Sequence, residues 1–339
     1  MARRNKSKGR IKIIQLKALK NDRKFKRYTK NQNRFHRRRL KKDKRARAPQ
    51  DANPAISIQT IKIPETFSIS LDVEIVLSII YNTKKLIENK RFRQFNFDLS
   101  KTIVFDDGAA TILLALCYDI HNQNKKVMVK WPNDSEAKKY IDQIGFRKFF
   151  QGYIPDRDSL NETLKKGKST ILQRDTVPII HRAMKTVFGQ DKKNQSLQGM
   201  LIELMTNSVN HAYLNTRREK TWYISTRHDT QNKKVEFCFV DNGDGITNTI
   251  YVRMGKRLLM TREEILARAF DGEFRSRTRE KNRGRGLIVI KNNFKKMTVR
   301  QLKVITNDVL LDFETGETIK LKTPFSGTFY SWILDQTCK

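Results

Sequence analysis

The composition of this sequence changes sharply near residue 50, and the change limits which part of the chain can fold. Residues 1–50 contain 22 Lys or Arg and two Asp, so they carry +20 of the net charge of +35. So dense a block of like charge opposes compaction. We therefore expect a disordered basic tail and linker over residues 1–55, with ordered structure beginning near residue 56.

The charge of the tail indicates what kind of partner it binds. Each phosphate that Lys or Arg neutralises releases counterions, so basic blocks bind polyanions strongly at low salt. We expect residues 1–48 to bind nucleic acid or another polyanion, and a few aromatic side chains there are available to stack on bases. An acidic protein or a membrane surface remains the alternative partner.

Strand and helix patterns alternate over residues 56–155, which predicts a compact α/β unit. The run "NFDLSKTIVFDDGAATILLALCYDI" is followed by "KKVMVKWP" and then by "IDQIGFRKFF". This order resembles the STAS domain of anti-sigma-factor antagonists over about residues 60–152. The regulated STAS proteins accept phosphate on a Ser in the turn that here contains Asp106 and Asp107. The resemblance therefore implies a module that is not switched by phosphate, whose acids imitate the phosphorylated state.

The stretch "ELMTNSVNHA" lies on a predicted helix in the second half of the chain. Glu203 and Asn207 are four residues apart, so they lie one turn apart on the same helix face. An acid and an amide in this arrangement can orient a water and hold a metal ion. A solvated face of an ordinary amphipathic helix is the alternative, with Leu197, Leu201, Leu204 and Met205 as its buried stripe.

Glycine-rich turns follow this helix. The predicted strand "VEFCFVDN" ends in Asp241-Asn242-Gly243-Asp244-Gly245, where glycine permits positive φ and close approach of a ligand. About forty residues later, "NRGRGLIVIKN" places Gly284 and Gly286 before an apolar helix, whose first amides can donate to phosphate. The last predicted strand contains Ser326-Gly327-Thr328.

These four pieces, in this order, resemble the GHKL ATP-binding fold of gyrase, heat-shock ATPases, mismatch-repair ATPases and histidine kinases. The resemblance covers about residues 190–336, with "AFDGEFRSRT" where the family has its mobile phosphate lid. The fold class that we expect is α/β: a STAS-like domain followed by a GHKL sandwich, in which a mixed sheet carries helices on one face. The expected boundaries are 56–155 for the first domain, 156–190 for a linker helix region and 191–339 for the second domain.

The resemblance assigns roles to individual residues. Asn207 would hold the Mg²⁺ that bridges the ATP phosphates, and Glu203 would orient or deprotonate the attacking nucleophile. Asp241 would accept a hydrogen bond from the adenine amino group, with Thr328 supporting it through water. The remaining contacts with ATP are implied for Gly243, Gly245, Arg283, Gly284, Arg285 and Gly286.

Three functions remain open at this point. The first is a slow ATPase switch that regulates a protein partner or a second copy of the chain. The second is a protein serine kinase of the anti-sigma type, which "TNSVNHAY" resembles. The third is a catalytically degenerate nucleic-acid-binding regulator, because Ile288 stands where the second glycine box often has Gly. Since no Lys-bearing domain follows, we expect the cation for hydrolysis to come from Lys281, Arg283, Arg285 or another subunit.

The remaining features concern the compartment. The three cysteines are scattered and form no CxxC pair, which favours a reducing environment. No run of about 18 apolar residues is present, and no secretory apolar segment follows the basic N-terminus. We therefore expect a cytoplasmic protein without membrane insertion.

Overall fold

The residues that the structure describes form three sheets, of three, five and two strands. The computed structural model describes residues 57–150, 164–168, 173–210, 221–254, 260–274 and 286–339. The chain divides into a unit of residues 1–55, which lies outside the described residues, and a unit of residues 56–339. The predicted tail therefore lies outside the described residues, and the domain boundaries stay a prediction.

The first section, residues 57–150, is built on parallel strands. A three-stranded parallel sheet has the order β1-β3-β5, and β2 and β4 form a separate parallel pair. A 3₁₀ helix ends the section at Phe146–Phe150. The elements are β1 (Ser57–Lys62), β2 (Thr66–Phe67), α1 (Val73–Glu88), β3 (Phe92–Asp98), β4 (Val104–Phe105), α2 (Asp107–Asn122), β5 (Lys126–Lys130) and α3 (Ser135–Gln143).

Each helix of the first section begins at an aspartate that caps it. The side chains of Asp72, Asp106 and Asp134 accept hydrogen bonds from backbone amides three residues ahead. Such caps satisfy amides that have no partner within the helix. Helix α2 is apolar almost all round and buries most of its length, so it must be covered on several sides.

The second section, residues 164–339, contains one larger sheet. Its order is β6-β7-β8-β10-β9. The elements are β6 (Leu164–Lys168), α4 (Gln173–Phe188), α5 (Gln195–Asn210), β7 (Thr221–Asp229), β8 (Lys234–Asp241), α6 (Ile246–Met254), α7 (Arg262–Asp271), α8 (Gly286–Lys295), β9 (Arg300–Asp312) and β10 (Thr318–Leu334).

The mixed sheet expected for this section is not what forms. In this five-stranded sheet, all four pairings between described strands are antiparallel. Two hairpins, β7–β8 and β9–β10, impose antiparallel pairing, and β10 then inserts between β8 and β9. The α/β class is confirmed, but its parallel and antiparallel pairings lie in separate sheets.

The expectation that helices cover only one face of this sheet is also wrong. On one face, α4, α5, α7 and α8 share a hydrophobic core with alternate strand residues such as Phe237, Phe239 and Trp332. On the other face, α1 and α2 of the first section pack on β7, β8 and β10. Cys238, Val240 and Phe329 join the first section's core there. Since successive strand residues point to opposite faces, apolar residues on both faces require two covering layers.

The segment predicted as a linker helix region supplies ordered parts of the second section. Strand β6 pairs with β7 at the edge of the sheet. Helix α4 buries Ile180, Ala183 and Val187 in the same core as α5. Residues 156–163 and 169–172 of this segment lie outside the described residues. The apolar stripe of α4 explains its place, because an amphipathic helix must bury that stripe.

Two observations bear on the compartment prediction. None of the described helices is long and apolar enough to cross a bilayer. Cys117, Cys238 and Cys338 are free and buried. The cytoplasmic location stays a prediction.

Candidate functional site

Asp241 ends strand β8 as a buried carboxylate in the middle of the sheet. It is 4% exposed and pairs in register with Trp222 of β7 on one side and Thr328 of β10 on the other. Its Oδ1 accepts a hydrogen bond of 2.8 Å from the amide of Gly243, and Thr328 also hydrogen-bonds to it. Burial raises the pKa of Asp241 to about 6, against the lowering effect of these hydrogen bonds.

The loop after Asp241 is fixed by an asparagine that lies far away in sequence. Gly245 has φ +84°, and a Cβ there would lie 2.4 Å from Oδ1 of Asn307. Asn307 accepts from Thr247 Oγ1 (2.7 Å) and from the amide of Asn248 (3.1 Å). Its Nδ2 donates to the carbonyl of Asp244 at 2.9 Å. Only glycine fits at 245, because both the backbone angle and the space exclude a side chain.

Glu203 and Asn207 meet the first residue of α8. A Cβ added to Gly286 would lie 2.6 Å from Oε2 of Glu203 and 3.1 Å from both side-chain amide atoms of Asn207. The start of α8 is therefore in close contact with these two side chains, which α5 presents one turn apart. Helices α5 and α8 pack together in the same core.

The charge state and partners of these two side chains indicate a polar site. Glu203 is half-buried, and burial raises the pKa of its carboxyl above its usual range. The side-chain nitrogen of Asn207 is buried and has no hydrogen-bond partner among the described residues. A buried amide without a partner is costly, so it favours a ligand that would satisfy it.

Both clusters lie on the same face of the sheet. Along β8, Phe237 and Phe239 point into the core that contains α5 and α8, and Asp241 follows at the same spacing of two. Ile246, just beyond the loop, also packs against this core. The structure thus brings Asp241, Thr328 and the glycine turn to the helix layer that carries Glu203, Asn207 and Gly286.

Some predicted site residues lie outside the described residues. They are Arg283, Gly284 and Arg285, together with Lys281 and residues 275–278 of the expected lid. The described residues on either side of this gap are in contact, since a Cβ on Gly272 (φ +81°) would lie 2.4 Å from Cδ1 of Ile288. Ile288 therefore packs against the C-terminal end of α7.

The acidic turn of the first section has a structural role. Asp106 caps α2 and accepts hydrogen bonds from Ser68 Oγ (2.6 Å) and from the amide of Ser70 (3.0 Å). Asp107 is buried, and its Oδ2 lies 3.2 Å from Nε of Arg227 on β7. Burial raises the pKa of Asp107 to about 6, although Arg227 acts in the opposite direction. Asp107 thus lies where α2 packs on the sheet.

Several residues near the site carry no motif that sequence reasoning could find. Thr306 and Asn307 hold the glycine loop, and Asn307 has φ +54°. Asn242, which follows Asp241 and has no role in the sequence prediction, donates hydrogen bonds to α2. These contacts span between 59 and 127 residues of sequence, so local patterns do not reveal them.

Comparisons with known proteins add no assignment. Neither a scan against protein-family models nor a search of curated proteins finds a match for this chain. Within the described residues, no group of three or more His, Cys, Asp or Glu side chains is placed to hold a metal ion. A site with one protein oxygen ligand is a different kind, because Mg²⁺ keeps several waters and takes few protein ligands.

Proposed function

We propose that the second section binds ATP with Mg²⁺ and acts as a slow ATPase switch. One observation carries the proposal most: the backbone of Gly286 lies directly against Glu203 and Asn207, at the start of a helix. The first amides of a helix favour anions, so phosphate oxygens fit beside this acid and amide.

Asp241 forms the end of the proposed site that would bind the nucleobase. A carboxylate that is 4% exposed is costly unless hydrogen bonds satisfy it, and an exocyclic amine supplies such a donor. Thr328 lies opposite Asp241 in the sheet and supports this contact. Gly245, with φ +84°, lets the loop after Asp241 turn tightly against Asn307, which fixes the backbone beside the ring.

The phosphate end is formed by α5 and α8. The side-chain oxygen of Asn207 would be a ligand of Mg²⁺, and the bound Mg²⁺ would neutralise charge on the phosphates. The side-chain nitrogen of Asn207, which has no partner among the described residues, is a donor and fits a phosphate oxygen. The close approach of Gly286 places the backbone of α8 beside it. Glu203 has a raised carboxyl pKa, which suits a base that orients or deprotonates a nucleophile.

Residues 1–48 extend the proposal to a polyanion. Their charge density fits nucleic acid, whose binding would weaken steeply with salt. In this proposal ATP alters an interface with a protein partner or a second copy, while the tail holds the chain on nucleic acid.

The first test is calorimetric titration of the full chain with ATP and Mg²⁺, followed by turnover measurements with and without DNA or RNA. Asn207→Ala should lose the Mg²⁺ dependence of ATP affinity. Glu203→Gln should bind ATP as the wild type does and lower turnover about a hundredfold or more, because only the base is removed.

Asn210→Ala is the matched control, since Asn210 is exposed on the same helix. It should leave both affinity and turnover unchanged. A wild-type chain that does not bind ATP with Mg²⁺, or Asn207→Ala and Asn210→Ala chains that behave alike, would refute the proposed site.

A further inference from the structure

Two backbone segments carry the candidate contacts with the nucleobase, one at Asp241 and one at Thr328. Both segments are held by side chains on the opposite face of the sheet. Nδ2 of Asn242 donates to Oδ1 of Asp119 and to the carbonyl of Ala115, both at 3.0 Å. Nζ of Lys84 donates to the carbonyl of Ser326 at 2.9 Å. Lys84 is on α1 and Asp119 on α2, so both contacts come from the first section.

These contacts fall immediately beside the candidate base contacts. Asn242 directly follows Asp241 at the end of β8, and Ser326 is two residues before Thr328 on β10. The two segments touch at Gly327, which has φ +130°, and a Cβ there would lie 2.1 Å from the carbonyl oxygen of Asp241. A displacement of either segment therefore displaces the Asp241–Thr328 pair.

Lys84 and Asp119 also pair with each other. Nζ of Lys84 lies 3.8 Å from Oδ2 of Asp119, and their side chains are 22% and 31% exposed. Lys84 also lies over the ring of Phe325 at 5.7 Å. Partial burial weakens the screening of such a pair by solvent. The pair therefore holds its two partners, the carbonyl of Ser326 and the side chain of Asn242, in a fixed relation.

We propose that Lys84 and Asp119 are positioning residues for base recognition. They fix the carboxylate of Asp241 opposite Thr328, because they hydrogen-bond to Asn242 and Ser326 from the other face of the sheet. The proposal rests on the function proposed above. It adds that the first section determines which nucleobase the second section selects. By thermodynamic reciprocity, a ligand held by Asp241 then stabilises the docking of α1 and α2 on the sheet.

The test compares ATP with purine riboside triphosphate, which lacks the 6-amino group, in titrations of the full chain with Mg²⁺. Asp119→Ala should weaken ATP binding about tenfold, the usual effect of losing a hydrogen bond to a charged group. Binding of purine riboside triphosphate should change by less than about twofold, because this ligand makes no amine contact. Asp119→Asn retains an oxygen for Asn242 and should recover part of the ATP preference.

Asp142→Ala is the matched control, because it breaks an ion pair of 2.8 Å with Arg147 in the same section. It should leave the ATP preference unchanged, and thermal unfolding should show that all variants fold. If Asp119→Ala weakens both nucleotides equally, or neither, the positioning role is refuted while the ATP site stands. A wild-type chain that binds neither nucleotide refutes the ATP site itself.

Discussion

At the scale of single residues, Asp241 combines burial with a pKa near neutrality. Desolvation raises its pKa from 3.8 to about 6, so the folded chain favours the protonated acid more than the unfolded chain does. The stability that this preference contributes is present below about pH 3.8 and is lost as pH rises through about 6. A hydrogen-bond donor on a ligand would favour the ionised carboxylate of Asp241 and so oppose the preference for the protonated acid.

A pH dependence follows from that pKa. The preference for ATP over purine riboside triphosphate should be full at pH 7.5 and fall about tenfold by pH 5, because protonation removes the charged acceptor. Titrations with the two nucleotides at each pH measure this ratio, in which ionisation of the triphosphate cancels. Asp241→Asn should remove the pH dependence, and a constant wild-type ratio would contradict the assigned role.

At the scale of elements, the contact between α5 and α8 depends on the absence of a side chain at Gly286. The nearest atom to an added Cβ is the free end of Glu203, which can move away, whereas Asn207 must give only a few tenths of an ångström. A methyl group there therefore displaces the carboxylate more than it disturbs the packing.

Gly286→Ala should consequently reduce turnover more than stability. We expect turnover to fall between about tenfold and a hundredfold, since small displacements of a catalytic group have such effects, and the free energy of unfolding to fall by about 1 kcal/mol. Steady-state ATPase assays and urea unfolding measure the two effects.

Gly199→Ala provides the comparison, because an added Cβ at this position in α5 meets nothing within 4 Å. It should raise the free energy of unfolding by about 0.5–1 kcal/mol through helix propensity and leave turnover unchanged. Equal turnover in the two variants would show that the Gly286 contact has no role in the chemistry.

At the scale of the whole molecule, the two sections share a core across the five-stranded sheet. Tyr223, Val240 and Phe329 belong to the same buried cluster as α2. The hydroxyls of Thr111 and Ser225, one from each section, lie 2.9 Å apart and are buried. The unit of residues 56–339 should therefore unfold as one cooperative structure.

Hydrogen exchange across a urea series tests this cooperativity. Peptides from α2 and from β8 should reach the same opening free energy, and Thr111→Val should lower both by about 1–2 kcal/mol, because Ser225 loses its buried partner. Thr83→Val is the control, since its hydroxyl bonds only within its own helix in the described contacts. Separate opening of α2 and β8 would show that the sections fold independently.

The sequence predicts local structure better than it predicts the arrangement of strands and layers. Local patterns predicted the strands around "VEFCFVDN", the helix that carries Glu203 and the glycine after Asp241, because periodicity and backbone angle are local properties. The antiparallel pairing of β10 between β8 and β9 was missed, since strand order depends on contacts between distant residues. The second covering layer was missed for the same reason.

The sequence by itself determined the composition break near residue 50, the α/β class and the residue types that a nucleotide site requires. These depend on charge density, on apolar spacing and on the special backbone freedom of glycine, all of which neighbouring residues define. The tertiary structure decided that Gly286 meets Glu203 and Asn207. It also decided that Asp119 holds Asn242, beside Asp241, and that Lys84 holds Ser326, near Thr328. Such contacts join elements up to 242 residues apart, and only the packing of two layers on one sheet brings them together.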